Sequence, residues 1–293
     1  MEIRLLRYFL AVVREGSISN AAKRLHVTQP TLSRQMAALE DELGRQLYTR
    51  GQKGIALTEQ GVILQRYAES IIELVERAEE EISLPAKTVS GTVHIAAGET
   101  ECMEILARAM REVREEYPGI DFALYSGNSA DLMDNFNRGF YDLFLECELQ
   151  PHVNMNVMRV PVKDVWGILA RRDSVLGRKD CVRPQDLNGH PFIASLQGHR
   201  AGKVDKWAGE DLHLNIVASY NLPHNMKFLV RQGLGYVFTY EGIFDATADS
   251  DLVFVPLEPR LESAHGILWR KTMPTKQTQV FLDKLQQIFD EYE

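Results

Sequence analysis

The chain has 293 residues, 45% of them apolar and 25% charged, with a net charge of −8. That length and balance fit roughly two soluble domains with a sizeable core, and no apolar run approaches the roughly 20 residues that cross a bilayer. Cys102, Cys147 and Cys181 are an odd number at unpaired spacings, which argues against a disulfide framework or a zinc motif and for reduced thiols.

The N-terminal apolar stretch LLRYFLAVV is broken by Arg7 and runs into Arg14 and Glu15 with no small-residue cleavage site. It does not read as a signal peptide, so a cytoplasmic location is expected, with no membrane partner. Charge is unevenly placed. Residues 1–66 hold ten Lys or Arg and six acids, a net +4, which leaves −12 on the remainder. A basic head on an acidic body fits a head that meets DNA.

The head reads as short helices. In IRLLRYFLAVVREG, Leu5, Phe9, Val12 and Val13 share a face and Gly16 ends the helix. SISNAAKRL opens on capping serines, and Ala21 and Ala22 permit close helix approach. After the tight connection HVTQ, Thr28 is placed to cap a longer helix, with Pro30 tolerated in its first turn, that runs to Leu43 and stops at Gly44. This is the helix-turn-helix order. Leu32, Met36, Leu39 and Leu43, spaced 4, 3, 4, form its buried stripe.

The opposite face holds Pro30, Ser33, Arg34 and Ala37, with Gln29 and Thr31 at the tip. Glu40, Asp41 and Glu42 sit in the last turn. Helix-turn-helix proteins set the N-terminal residues of the second helix against base edges, where Gln pairs with adenine and Arg with guanine. A plain solvated helix face is the competing reading. LYTRGQKGIALT then reads as a β-hairpin wing carrying Arg50 and Lys53 toward phosphates, or as a solvated basic turn.

Residues 58–87 read as one long helix. Leu64, Ala68, Ile71, Val75, Ala78 and Ile82 recur at 4, 3, 4, 3, 4, a heptad seam without an obvious partner in the head, and so a dimerisation element. Pro85 and TVSG mark a boundary. From Gly91 strands and helices alternate: GTVHIAAG, DFALYSG, YDLFLE, DVWGILAR, HPFIAS, LNIVASY, GYVFTY, DLVFVPL and AHGILWR as strands, with helices between and at the C-terminus. That pattern is α/β with a parallel sheet.

The run GSISNAAKRLHVTQPTLSRQMAALEDELGRQLYTRGQKGIALTEQG resembles the winged helix-turn-helix of LysR-type transcriptional regulators. The signature elements are the paired alanines, LHVTQPxLSRQ, LExxLG and LTxxG, and YPGI, YDLFLE, DLNGHPFI and GLGYVF follow in the family's order. The resemblance implies a winged helix-turn-helix domain (1–58), a linker and dimerisation helix (59–87), and a two-lobed α/β effector domain (88–293) like the type 2 periplasmic binding proteins. Its lobes are expected at 88–161 with 266–293, and at 162–265. It further implies a dimer or tetramer, an interrupted palindromic operator, a small-molecule effector between the lobes and contact with RNA polymerase. DNA contacts carried over by position are Gln29, Pro30, Thr31, Ser33 and Arg34, with Arg50 and Lys53 at the wing. Effector positions fall on Thr100, Cys102, Asn128, Ser129, Cys147 and Ser195.

Ligands in open α/β sheets sit beyond the carboxyl ends of strands. There the sequence places Glu99, Glu101 and Glu104 around one helix start, and Glu146 and Glu148 at a strand end. These acids repel anions, so the expectation is a neutral or cationic effector, or an anion held by Arg200 or Lys203. The alternative is that the acids only stabilise the helix start. Asn221 is placed to cap the helix at Pro223. Cys102, expected in a helix's first turn, would form with Cys147 a redox-sensing pair, or both thiols are simply buried pocket residues. The histidines are scattered without metal spacing, Glu146 and Glu148 have no identifiable proton partner, and neither a nucleophile elbow nor a phosphate loop occurs. No metal, cofactor or catalytic group is therefore expected. A solute-binding module without a regulatory role is the remaining alternative.

Overall fold

The apolar stripes at the start of the chain close on one another into a small helical core. The computed structural model describes residues 1–51, 54–83, 89–196, 203–209, 214–244 and 250–292, excluding the side chains of Arg50, Glu80 and Glu81. It has two units, Met1–Pro85 and Ala86–Glu293.

In the first unit, α1 (Ile3–Glu15) ends at Gly16 in the left-handed region, and Ser17 caps α2 (Ile18–Arg24) by accepting the Asn20 N–H. His26, also left-handed, turns the chain toward α3 (Gln29–Leu43), and the Val27 N–H donates back to the Ala22 carbonyl. Leu5, Phe9, Val12, Ile18, Ala21, Ala22, Leu32, Met36 and Leu39 form the core. Leu43, expected in the buried stripe, is 39% exposed, because the last turn of α3 runs past the core before Gly44 reverses the chain.

Strands β1 (Tyr48–Gly51) and β2 (Gly54–Leu57) form the expected antiparallel hairpin. Thr58 Oγ1 then donates to the Gln46 carbonyl and accepts the Gly61 N–H as α4 (Glu59–Ser83) begins. A Cβ at Gly61 would stand 1.9 Å from the Leu47 carbonyl oxygen. The LTxxG signature is thus a close backbone crossing that requires glycine.

The long helix has a partner within the head. Ala68 and Ile72 are buried with Leu6 of α1, Leu64 and Ile71 pack against them, and Arg7 reaches Glu79 at 3.6 Å. The helix lies within the first unit. Of the expected seam, Leu64, Ala68 and Ile71 are occupied in this way; Val75 is half-buried, Ala78 is exposed and Ile82 is 84% exposed.

The second unit opens with β3 (Gly91–Ala97), α5 (Met103–Glu116), β4 (Ile120–Ser126), α6 (Ser129–Asn137) and β5 (Leu143–Glu146). Next come β6 (Met155–Arg171), β7 (Pro191–Ser195), α7 (Lys203–Ala208), β8 (Asn215–Tyr220), α8 (Met226–Arg231), β9 (Tyr236–Tyr240), β10 (Leu252–Pro256), β11 (Glu262–Arg270) and α9 (Lys276–Asp290). The strands order as β4-β3-β5-β11-β6-β9-β7-β8, with β10 also on β6. Parallel sets β4-β3-β5 and β9-β7-β8 form two lobes, and the antiparallel pair β6 and β11 runs through both.

β6 begins nine residues before the expected DVWGILAR strand, because its first half alternates in polarity and contains Pro161. Ala264 stands opposite Lys163 but Gly266 opposite Arg159, so Val160–Val162 face the single residue His265. Pro161 has no N–H for the ladder, and prolines inside sheets are confined to edges and bulges. α9 closes the first lobe with Phe281, Leu282, Leu285, Ile288 and Phe289 against α5.

Candidate nucleic-acid interface and ligand cleft

The amino end of α3 carries Gln29, Pro30 and Arg34 exposed and Thr31 and Ser33 half-buried. Thr28 Oγ1 accepts the Thr31 N–H at 3.4 Å and lies 2.8 Å from Thr31 Oγ1. Thr31 is therefore part of the cap as well as of the tip. No acid occupies the first turn, so the positive end of the helix dipole is left for an anion from outside. At the far end Glu40 accepts the Leu47 N–H at 2.7 Å and Glu42 pairs with the N-terminal ammonium. Those acids serve the fold. In the hairpin the Arg50 backbone pairs with Ile55; the Arg50 side chain and all of Lys53 lie outside the described residues.

In the second unit a cavity of about 350 Å³ opens where β3 and β4 end and α5 begins. Glu99, Thr100, Glu101 and Ser126 line it from one lobe, and His224, Gly242 and Ile243 from the other. Gly242 adopts a positive φ of 81°, and a Cβ there would lie 1.5 Å from Glu101 Oε1. The Glu101 carboxylate thus rests on the backbone of the opposite lobe, a position only glycine permits. Burial raises the Glu99 pKa, with His224 pulling it back, and burial together with Asp164, Glu241 and Glu104 raises that of Glu101. No Lys or Arg lines the cavity among the described residues.

Of the effector positions carried over by resemblance, Thr100 lines this cavity. Cys102 lies behind it, 1% exposed, and Cys147 sits beneath Gly98. Asn128 caps α6 by accepting the Asp131 N–H at 2.9 Å, Ser129 is exposed beside it, and Ser195 hydrogen-bonds Tyr220. Asn221 bonds the Leu222 N–H and does not cap the turn at Pro223. Lys203 Nζ donates to the Glu262 carbonyl and Ser263 Oγ and is committed there; Arg200 lies outside the described residues. Glu146 does have a proton partner: it is buried, with His152 Nε2 at 2.8 Å and the Gln150 N–H at 3.0 Å.

Burial weighs against the redox pair. Cys102 precedes the first turn of α5, yet desolvation pushes its thiol up to about 12, with Asp164 adding to the shift. Burial raises Cys147 as well, again with Asp164 opposing ionisation. Both shifts run against thiolate formation, whereas reactive cysteines need thiolate character.

Asp164, His265 and His224 are functional candidates that the sequence does not single out. Thr100 Oγ1 donates to Asp164 Oδ2 at 2.6 Å, which ties the cleft wall to β6. The available signal is a charged residue inside an apolar strand, and it is masked because Asp164 reads as that strand's first residue.

Residues 3–62 match the family described as bacterial regulatory helix-turn-helix protein, lysR family. Residues 86–290 match the LysR substrate binding domain. Among curated relatives, the transcriptional regulator BsdA of Bacillus subtilis is 37% identical over 136 residues, 46% of either chain. The nitrogen assimilation regulatory protein nac of Klebsiella aerogenes is 31% identical over 62% of this chain and 57% of its own. The chain thus spans about half the length of these relatives. Full-length CbnR, solved with its target DNA, superposes with a TM-score of 0.76 at 21% identity over 98% of this chain and 100% of its own, a likeness of fold.

Proposed function

The chain belongs to the LysR family of bacterial regulatory helix-turn-helix proteins, and on that premise we propose that it is a cytoplasmic, non-enzymatic transcriptional regulator that binds double-stranded DNA through the amino end of α3 and responds to a small molecule held in the Glu99–Gly242 cleft. The observation that carries the DNA reading is the acid-free, capped N-terminus of α3 with Gln29 and Arg34 exposed on it. Gln29, Pro30, Thr31, Ser33 and Arg34 meet the operator, with Arg50 and Lys53 on the backbone at the wing. The relatives BsdA and nac are named as regulators, and CbnR was solved on its target DNA, which supports the reading. RNA polymerase is the partner through which promoter output changes.

Self-association to a dimer or tetramer uses the face of α4 that α1 leaves open. Ile63, Tyr67, Leu74 and Ala78 fall within about 60° of one another at about 100° per residue. Ile63 and Tyr67 are about half exposed. Ile63, Tyr67 and Leu74 each precede a residue of the expected seam, and Ala78 belongs to both. The lobes divide at 161/162 and 265/266, a boundary supported by the slip of the β6–β11 ladder.

The effector is neutral or cationic. Two carboxylates line the cleft, and no Lys or Arg does among the described residues. An anion would meet repulsion from both carboxylates. The deciding test is operator binding by Arg34→Ala, expected to weaken by about 1–3 kcal/mol with relaxed preference at one base pair. Unchanged affinity removes α3 from the interface. For the cleft, a melting-temperature screen is expected to favour amines and neutral polar compounds; stabilisation by dicarboxylates alone contradicts the assignment.

A further inference from the structure

Three side chains from separate elements converge behind the cleft. Cys102 before α5, Asp164 on β6 and His265 on β11 are all buried, and their ligating atoms lie within 4.8 Å of one another. Asp164 Oδ2 is 3.3 Å from His265 Nε2, and Asp164 Oδ1 is 3.7 Å from Cys102 Sγ. Zinc-type bonds of about 2.3 Å to sulfur and about 2.0–2.2 Å to nitrogen or oxygen, at tetrahedral angles, set neighbouring donors about 3.3–3.6 Å apart. The two edges run from different oxygens of the Asp164 carboxylate, and each falls within a few tenths of an ångström of that spacing.

One buried atom points to a cation. His265 is 0% exposed, and its Nε2 is a buried polar atom without a hydrogen-bond partner, 3.3 Å from Asp164 Oδ2. Buried Asp164 has the Thr100 hydroxyl and the Cys102 thiol as donors, and among the described residues His265 is its one basic neighbour in ion-pair range.

We propose that Cys102, Asp164 and His265 bind a thiophilic divalent cation of the zinc class, which pins the start of α5 to both strands that connect the lobes. On binding, the Cys102 thiol proton leaves to solvent and the sulfur coordinates as thiolate. With the Asp164 carboxylate and neutral imidazole, that balances the two positive charges of the ion. Coordination through Nε2 moves the ring proton to Nδ1, which now accepts the Glu148 N–H over 3.4 Å. That one long hydrogen bond is given up for the bond from Nε2 to the ion. The three ligands lie behind the cleft, and Thr100 joins one of them, Asp164, to its wall.

The test uses the full chain, freed of metal by chelation and titrated anaerobically with Co²⁺. The expected result is a thiolate-to-cobalt charge-transfer band with tetrahedral d–d bands, saturating at one ion per chain and displaced by Zn²⁺. The band is lost in Cys102→Ser, weakened by about 10–100-fold in affinity in His265→Gln, and retained in Cys181→Ser. X-ray absorption of the zinc-loaded wild-type chain, which needs no variant to fold, is expected to show one sulfur in the coordination sphere. Absence of a charge-transfer band, its survival in Cys102→Ser, or a zinc shell without sulfur overturns the proposal.

Discussion

The two units present their surfaces by opposite means. In residues 1–85 the end of α3 is shaped by neighbours in sequence: Thr28 caps Thr31 three residues on, and His26 makes the turn just before. In residues 86–293 the cleft is assembled from distant segments. Thr100 bonds Asp164 64 residues away, and Glu101 lies on Gly242. A surface built from one helix end is set by local backbone chemistry, whereas a cleft exists only once two lobes and their shared strands have folded.

That contrast can be broken by mutation. The largest expected effect is Phe9→Ala. Phe9 is fully buried, so its removal should destabilise the first unit by about 3–5 kcal/mol. In urea unfolding of the whole chain this is expected to shift the transition of residues 1–85 and leave that of 86–293 in place. If both transitions move together, the units are not energetically separate. A smaller effect is expected of Thr100→Val. It leaves the buried Asp164 carboxylate short of a donor, at about 1–3 kcal/mol, here in the second transition and with operator affinity unchanged. A second transition that does not move would show that the cleft wall is not tied to β6.

The smallest effect sharpens the electrostatic side. Burial raises the folded-state pKa of Glu99 and of Glu101. The folded chain therefore binds more protons than the unfolded one in the window above the ordinary glutamate value of 4.5. Stability contributed by these groups is greatest below that window and falls as pH rises through the raised values. Glu99→Gln and Glu101→Gln should each raise the melting temperature slightly at neutral pH, an effect that solvent screening keeps small, with the gain fading as pH falls toward the window. A gain that grows on acidification contradicts the assigned sign.

Legibility follows the same division. The caps at Ser17 and Thr28, the stops at Gly16 and Gly44 and the stripe through Leu32, Met36 and Leu39 are readable because each depends on residues one helical turn apart. The expected seam of α4 is divided, since a helix with two apolar stripes does not say which of them a neighbour takes; α1 takes Ala68 and Ile72, with Leu64 and Ile71 beside them. Asn128 and Ser195 stand at strand ends as expected, yet each is engaged in local bonding. A helix start alone would acidify Cys102, and desolvation wins instead. Short polar runs after strands mark where a cleft can lie and not which side chains turn into it.

What the amino-acid order determined by itself was the helix-turn-helix, the alternation of strands and helices, and the polarity of α3, because caps, stops and apolar periodicity act over a few residues. Only the tertiary structure decided that Asp164 and His265 stand behind Thr100 and Cys102, and that Glu101 crosses to Gly242. Those contacts join strands and loops through long-range sheet pairing and the slip opposite His265, and burial then sets their charge states. Neither register nor burial is a property of any short stretch of chain.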